Sequence, residues 1–299
     1  MNSILTFPER GPWGDSRYRG NCSGHIQKEL INHFQPKLFV DVCEGSGTSR
    51  DVCRELGVEY VGLDLHRGFD FTNDYVLREL PRPADLVFSH PPYEQMIDYR
   101  EVGKWENPAL KQRDLSACDE DAFLELSRVM LLNQREATRK GGHYATLIGD
   151  LRSKGRFRSF QADYIQIMPR DELVGVVIKA QHNCVSDRRT YGGRFIPIQH
   201  EYLLVWEKKA ASLFQVAMEK AVELKRQGDM NWRSLLHMIL VRLGGQAGMQ
   251  DIYREVEREA PEYVRNRPNW MAKVRQQLQF HFESVTKGVW QSTQPAAAA

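Results

Sequence analysis

The chain has 299 residues, 41% apolar and 27% charged, which leaves room for an α/β core of roughly 200 residues and a small appended domain. A net charge of +2 does not mark a nucleic-acid binder by itself. No apolar run is long enough for a transmembrane helix, and the first residues lack the basic head and apolar stretch of a secretory signal, so a cytoplasmic location is expected. The five cysteines are odd in number and contain no CxxC pair, which argues against a disulfide framework and a zinc knuckle.

In chain order, residues 1–20 read as an irregular arm rich in Gly, Pro and Arg. Residues 24–35 put Ile26, Leu30, Ile31 and Phe34 at helical spacing, and Pro36 stops the helix. Leu38 to Val42 is a continuous apolar run, as in a strand buried on both faces. It enters a glycine turn and then the helix after Ser49, which Gly57 closes. Tyr60 to Leu65 is a second strand, so a βαβ unit and a parallel sheet are expected. A third strand, Ala84 to Ser89, ends in His-Pro-Pro-Tyr. Residues 94–118 read as a mobile loop with scattered charge, followed by a long helix from about Asp119 to Arg139. Three more strands are expected around 143–150, 172–180 and 196–208. Gln181 to Phe195 is a long basic loop, of the kind that is functional or disordered in compact domains. From Arg152 to Arg194 there are nine Lys/Arg against four Asp/Glu, a stretch suited to phosphate contact.

Two motifs carry chemistry. In Asp41-Val42-Cys43-Glu44-Gly45-Ser46-Gly47, the glycines let backbone approach a ligand, and the turn opens a helix whose amides point at it. Asp64 ends the next strand, where a carboxylate suits the hydroxyls of a ribose. Together they predict an adenosine-containing cofactor. The absence of GxxxxGK[ST] excludes a P-loop, and the departure from GxGxxG argues against NAD. In Ser89-His90-Pro91-Pro92-Tyr93, the prolines present a rigid carbonyl, and Tyr93 offers an aromatic face on which a planar base can stack.

Asp41-x-Cys43-x-Gly45-x-Gly47 followed by His90-Pro91-Pro92-Tyr93 resembles the cofactor and catalytic motifs of amino-methylating DNA methyltransferases, in the gamma order of that family. The resemblance covers roughly residues 8–207. More narrowly it resembles the relaxed-specificity adenine methyltransferases of Mu-like prophages. It implies a class I, Rossmann-like α/β fold with a mostly parallel seven-stranded sheet, S-adenosyl-L-methionine as cofactor, double-stranded DNA as partner and no metal. By the same resemblance, His90, Pro91, Pro92 and Tyr93 are catalytic. Asn21, Ser23, Asp41, Cys43, Gly45, Gly47, Asp64, Asp70 and Ser89 hold the cofactor. The strand Tyr144 to Asp150, with Arg152 after it, resembles one that borders the base pocket. One position departs: the family has Asp, Asn or Ser where this chain has His90. A neutral imidazole nitrogen accepts a hydrogen bond from an amino group, but an imidazolium does not. A shifted register would put Ser89 in that role.

The C-terminal part reads as three helices and two short strands about Lys287-Gly288. It resembles the winged helix at the N-terminus of Mrr-type restriction proteins, on Ile252-Tyr253, Trp270, Val274, Arg275, Leu278 and Gly288-Val289-Trp290. The expected organisation is a methyltransferase domain at 1–208, a connecting helix at 209–228, a winged helix-turn-helix at 229–291 and a disordered tail at 292–299. Arg152, Arg188, Arg189, Arg265, Arg267, Lys273, Arg275 and Lys287 are the expected DNA contacts. The reading is methyl transfer to N6 of adenine in DNA with little sequence specificity. Its rivals are an N4-cytosine methyltransferase, an RNA or protein-glutamine methyltransferase, and an inactive methyltransferase fold that binds DNA.

Overall fold

Alternating buried side chains on short strands build this molecule outward from one sheet. The computed structural model describes residues 1–153, 155–182, 196–209, 228–259, 264 and 268–291. In chain order these give β1 (Ile4–Thr6), α1 (His25–Phe34), β2 (Leu38–Asp41), α2 (Thr48–Leu56), β3 (Glu59–Gly62), β4 (Ala84–Ser89), α3 (Glu120–Ala137), β5 (Thr138–Ile148), β6 (Leu151–Ser153), β7 (Arg156–Arg158), α4 (Phe160–Ile167), β8 (Leu173–Ala180) and β9 (His200–Glu207). Seven of the strands form one sheet in the order β1-β8-β9-β5-β4-β2-β3. Only β9 runs antiparallel to its neighbours. The sheet is therefore α/β and mostly parallel with seven strands, as expected.

The seventh strand comes from an unexpected place. Ile4–Thr6 lies in the stretch read as irregular, and it pairs in parallel with Ile178 to Ala180 of β8. Three residues at a sheet edge are too few for a periodicity to be visible.

Successive strand residues face opposite layers. Leu38, Val40, Val87, Tyr144 and Trp206 pack on the side of α3 and α4. Phe39, Leu86, Phe88, Ala145 and Leu147 pack against α1 and α2 through Ile26, Leu30 and Val52. After β3 the chain crosses back over β2 to lay down β4, so strand order reverses between β2 and β4. Ligands of open α/β sheets bind beyond the strand ends at such a switch point. Asp41 lies opposite Phe88, so the glycine turn after β2 and the proline turn after β4 emerge side by side.

Residues 94–118 are folded rather than loose. Asp98, Asn107 and Asp114 each accept the amide two residues on, which sets three 3-10 turns. Trp105, Leu115, Ser116 and Cys118 are buried beneath them. Scattered charge concealed these turns, because their caps are the charged or polar residues themselves.

The C-terminal part comprises α5 (Gly228–Arg242), β10 (Gln246–Gly248), α6 (Met249–Glu259), α7 (Trp270–His281), β11 (Glu283–Thr286) and β12 (Val289–Gln291). Its strands form an antiparallel sheet in the order β10-β12-β11. Only β10 is not among the expected elements. Helix α5 packs on α3, where Arg242 pairs with Glu136 and also with Glu255 and Glu259 of α6. Residues 210–227, the expected connecting helix, and the tail 292–299 lie outside the described residues. Among the described residues no helix is long and apolar enough to cross a membrane.

Candidate active site

The glycine bend is held open by carboxylates. Gly47 takes the left-handed conformation at φ 85° and begins α2 without a side-chain cap, so the first amides of the helix remain available to a ligand. One Asp64 oxygen accepts the Gly45 amide at 2.8 Å, and the other accepts the His66 amide at 2.8 Å. Asp41 accepts the Cys43 amide at 2.9 Å and the Ser49 hydroxyl. Burial pushes the Asp41 carboxyl up to about 7, against the lowering effect of Ser49. Thr48 donates to Asn21 Oδ1 at 2.5 Å, and Asn21 in turn donates to the Asp15 carbonyl at 2.9 Å. That ties the N-terminal arm to the bend.

These groups line a cleft of about 800 Å³, together with Tyr18, His66, Asp70, Thr72, His90, Pro92, Tyr99 and Asp114. Asp70 is buried. One of its oxygens accepts the Thr72 amide and hydroxyl, and the other faces Arg113 at 2.7 Å. Ser46 Oγ is shielded from solvent and has no hydrogen-bond partner among the described residues. A left-handed glycine, an uncapped helix start and a solitary hydroxyl fit a ligand carrying hydrogen-bonding and anionic groups.

A second cleft of about 1130 Å³ lies on the other side of His90. It is lined by Pro91, Tyr93, Met96, Ile97, Lys179, Gln181, His182 and Glu201, and by Phe7, Arg10 and Ser23 of the arm and α1 entry. Asn21, Cys22, His90 and Tyr99 wall both clefts. The two prolines divide between them, Pro92 facing the first and Pro91 the second. Tyr93 packs so closely on Gly149 that a Cβ there would meet its ring at 2.9 Å. The Tyr93 hydroxyl donates to Glu201 Oε1 at 2.8 Å and lies 2.9 Å from His90 Nε2. Lys179 Nζ donates to Glu201 Oε2 at 3.0 Å. Burial lowers the His90 pKa below its ordinary 6.5, despite the nearby Glu201 carboxylate, so the ring is neutral at neutral pH.

Of the expected residues, Asn21, Asp41, Cys43, Gly45, Asp64, Asp70, His90 and Pro92 line the first cleft. Gly47, the left-handed start of α2, is not among the residues that line it. Ser89 is corrected. It is fully buried and donates to Gln134 at 3.0 Å beside Thr146 at 2.8 Å. Strand alternation turns it into the layer beneath α3, and it reaches neither cleft. Ser23 is also moved: it lines the second cleft, with its hydroxyl on the Arg10 carbonyl. Of the strand Tyr144 to Asp150, Gly149 meets Tyr93 and no residue lines either cleft.

Arg152 stacks over Phe157 at 5.3 Å on the β6–β7 hairpin. That hairpin is fastened beside the proline turn by Arg158, which pairs with Glu94. Arg275 and Lys287 are exposed and Lys273 partly so. Arg188, Arg189, Arg265 and Arg267 lie outside the described residues. Tyr18, Tyr99, Arg113, Lys179 and Glu201 escaped the sequence reading. The advance signal for Lys179 was its being the one charged residue of an otherwise apolar strand; Glu201, in a strand that also holds His200 and Glu207, had none.

No protein-family model and no curated protein matches this sequence. Among solved structures, the chain is similar to TTHA0409 of Thermus thermophilus, a candidate DNA modification methylase, at 18% identity and TM-score 0.31. That match covers 58% of this chain and 53% of the other, so the chain spans about half the length of that protein. In a second structure TTHA0409 is complexed with S-adenosyl-L-methionine, at 20% identity and TM-score 0.31 over 47% of this chain and 51% of that one. A SAM-dependent methyltransferase from Archaeoglobus fulgidus matches at 11% identity and TM-score 0.38, over 62% of this chain and 92% of that one. Likeness at this level carries no argument about activity, which rests on the site itself.

Proposed function

We propose that this chain is a class I S-adenosylmethionine-dependent methyltransferase that modifies the exocyclic amino group of a nucleic-acid base, N6 of adenine in DNA, with little sequence selectivity. The observation that carries this reading is the meeting of two clefts at His90, with Asn21, Cys22 and Tyr99 as shared walls. A reaction between two bound molecules needs such a shared wall, because holding both reactants in line removes much of the entropic barrier.

The residues of the first cleft fit the cofactor. Asp64 and the bend at Gly45 suit the ribose, Asp70 and its surroundings suit the adenine ring, and the open start of α2 with Ser46 suits the carboxylate of the methionine part. When bound, S-adenosylmethionine supplies a methyl group already activated by its sulfonium. The protein's own work is on the acceptor. An aromatic amine is a poor nucleophile because its lone pair is delocalised into the ring. The Pro91 carbonyl and the neutral His90 ring accept its N–H hydrogens and localise that pair. Tyr93 forms a wall of the second cleft, on which a base turned out of the helical stack would rest.

Two features support DNA as the substrate. The described elements α5, β10, α6, α7, β11 and β12 suit a winged helix, and the Arg152–Phe157 hairpin borders the proline turn. Low selectivity follows from the small number of described elements near the second cleft that could reach base edges. Digestion of the methylated product to nucleosides and mass spectrometry tests the assignment: N6-methyladenine supports it, and N4-methylcytosine replaces it with the cytosine reading.

A further inference from the structure

His90, Tyr93, Glu201 and Lys179 form one half-buried chain of hydrogen bonds, drawn from the proline turn, β9 and β8. Its direction follows from valence. The Glu201 carboxylate only accepts, so Tyr93 spends its single hydroxyl hydrogen on Glu201 at 2.8 Å. The phenol oxygen then has only lone pairs left for His90 Nε2 at 2.9 Å. For that contact to be a hydrogen bond, Nε2 carries the proton. A neutral imidazole has one N–H, so Nδ1 is left as the acceptor. Lys179 at 3.0 Å keeps Glu201 ionised although both side chains are nearly closed to solvent, at 13% and 9% exposure. Without that cation a carboxyl so buried would tend to protonate and donate a hydrogen to Tyr93, reversing the chain.

We propose that Glu201, held ionised by Lys179, is a positioning residue that acts through Tyr93 to fix His90 in the Nε2–H tautomer and so reserve Nδ1 for the amino hydrogen of the target base. The proposal rests on the function given above and explains how a histidine stands where an oxygen acceptor is expected. An Asp or Asn oxygen accepts at all times. A histidine accepts with a given nitrogen only when its tautomer is set, and this chain of bonds sets it. The titratable groups around His90 are Tyr93 on its own turn, Glu201 on β9, Lys179 on β8, Cys43 on the glycine bend and Cys22 in the arm.

Two readouts on the full-length protein test this, the first independent of activity. Nitrogen-15 NMR of the histidine rings, with His90 assigned through His90→Asn, should show the proton on Nε2 in the wild type. In Glu201→Gln and Tyr93→Phe the populations should move toward Nδ1–H. Methyl transfer in both variants should fall at least about tenfold in kcat with the affinity for S-adenosylmethionine unchanged. The acid limb of kcat/KM should move to lower pH in Glu201→Gln, because an anion near His90 is lost. In Lys179→Met, Glu201 takes up a proton and donates it to Tyr93, so the ring populations should again move toward Nδ1–H although Glu201 and Tyr93 are both present. A purely structural role for Lys179 would not move the His90 tautomer. A wild-type proton on Nδ1, or a Glu201→Gln protein with unaltered spectrum and rate, overturns the proposal. If the spectra behave as stated but the wild type methylates no nucleic acid, the chain of bonds stands and the function above falls.

Discussion

Tyr93 and Glu201 are 108 residues apart and share a 2.8 Å hydrogen bond. The bond joins the turn after β4 to β9, the one strand of the main sheet that runs against the others. An antiparallel strand brings its N-terminal residues to the edge where the parallel strands end. That is why Glu201, the second residue of β9, stands at the mouth of the site and not at the opposite face. The same inversion places Lys179, near the end of β8, beside it.

Cofactor binding should depend on pH through Asp41. Its folded-state pKa is raised to about 7 by burial, so the carboxyl is protonated in mildly acid solution and ionised above neutrality. Ionisation places an anion near a ligand that carries a sulfonium and an ammonium. Calorimetric titration should therefore show S-adenosylmethionine binding tighter at about pH 8 than at about pH 6, by up to tenfold per unit of coupled shift. Asp41→Asn should abolish the dependence. In stability the sign is reversed: Asp41 favours the fold below its unfolded pKa of 3.8 and ceases to as pH rises through about 7.

Phe157 is 49% exposed in the middle of β7, opposite Arg152, which lies over its ring. A cation and an aromatic face presented together suit a phosphate and an unstacked base. Phe157→Ala should weaken DNA binding by about 1–3 kcal/mol, the range of one base–aromatic stack, and leave cofactor affinity untouched. Arg152→Ala should also flatten the salt dependence of binding. Fluorescence anisotropy with labelled duplexes at two salt concentrations measures both, and wild-type affinity in both variants would remove the hairpin from the interface.

The C-terminal helix α5 carries a histidine that makes the fold acid-sensitive. His237 is buried against Phe282, and burial, with Arg233 and Arg128 nearby, pushes its pKa down to about 3. The unfolded chain takes up this proton near 6.5, so the unfolded state binds more protons between about 3 and 6.5. Stability should therefore fall as pH drops through that window, by at most about 1.4 kcal/mol per unit from this group. Urea titrations across the window should show His237→Leu with a flatter profile, and equal slopes would refute the assignment.

What the sequence disclosed was whatever is contiguous. Asp41, Gly45, Gly47 and Asp64 lie in and beside one βαβ unit, and His90 to Tyr93 form one turn, so strand ends and turn residues located them directly. The partners that give His90 its proton arrangement come from β8 and β9, whose pairing is non-local and carries no local pattern. Ser89 illustrates the limit at a single position. It adjoins the proline turn in sequence, but the period-two alternation of β4 turns it away into the core. Asp70 is legible in the sequence without its partner Arg113, because the turns that bring Arg113 back over the first cleft are made by polar caps rather than by an apolar rhythm.

The measurement that bears most directly on the shared wall at His90 uses the full-length protein, S-adenosylmethionine labelled in its methyl group, and unmodified DNA, with wild type beside His90→Ala. The wild type should place label in N6-methyladenine. The variant should lose at least about a hundredfold in rate and still bind the cofactor normally. Label that stays out of nucleic acid with the wild type, or a His90→Ala protein as active as the wild type, would contradict the assignment.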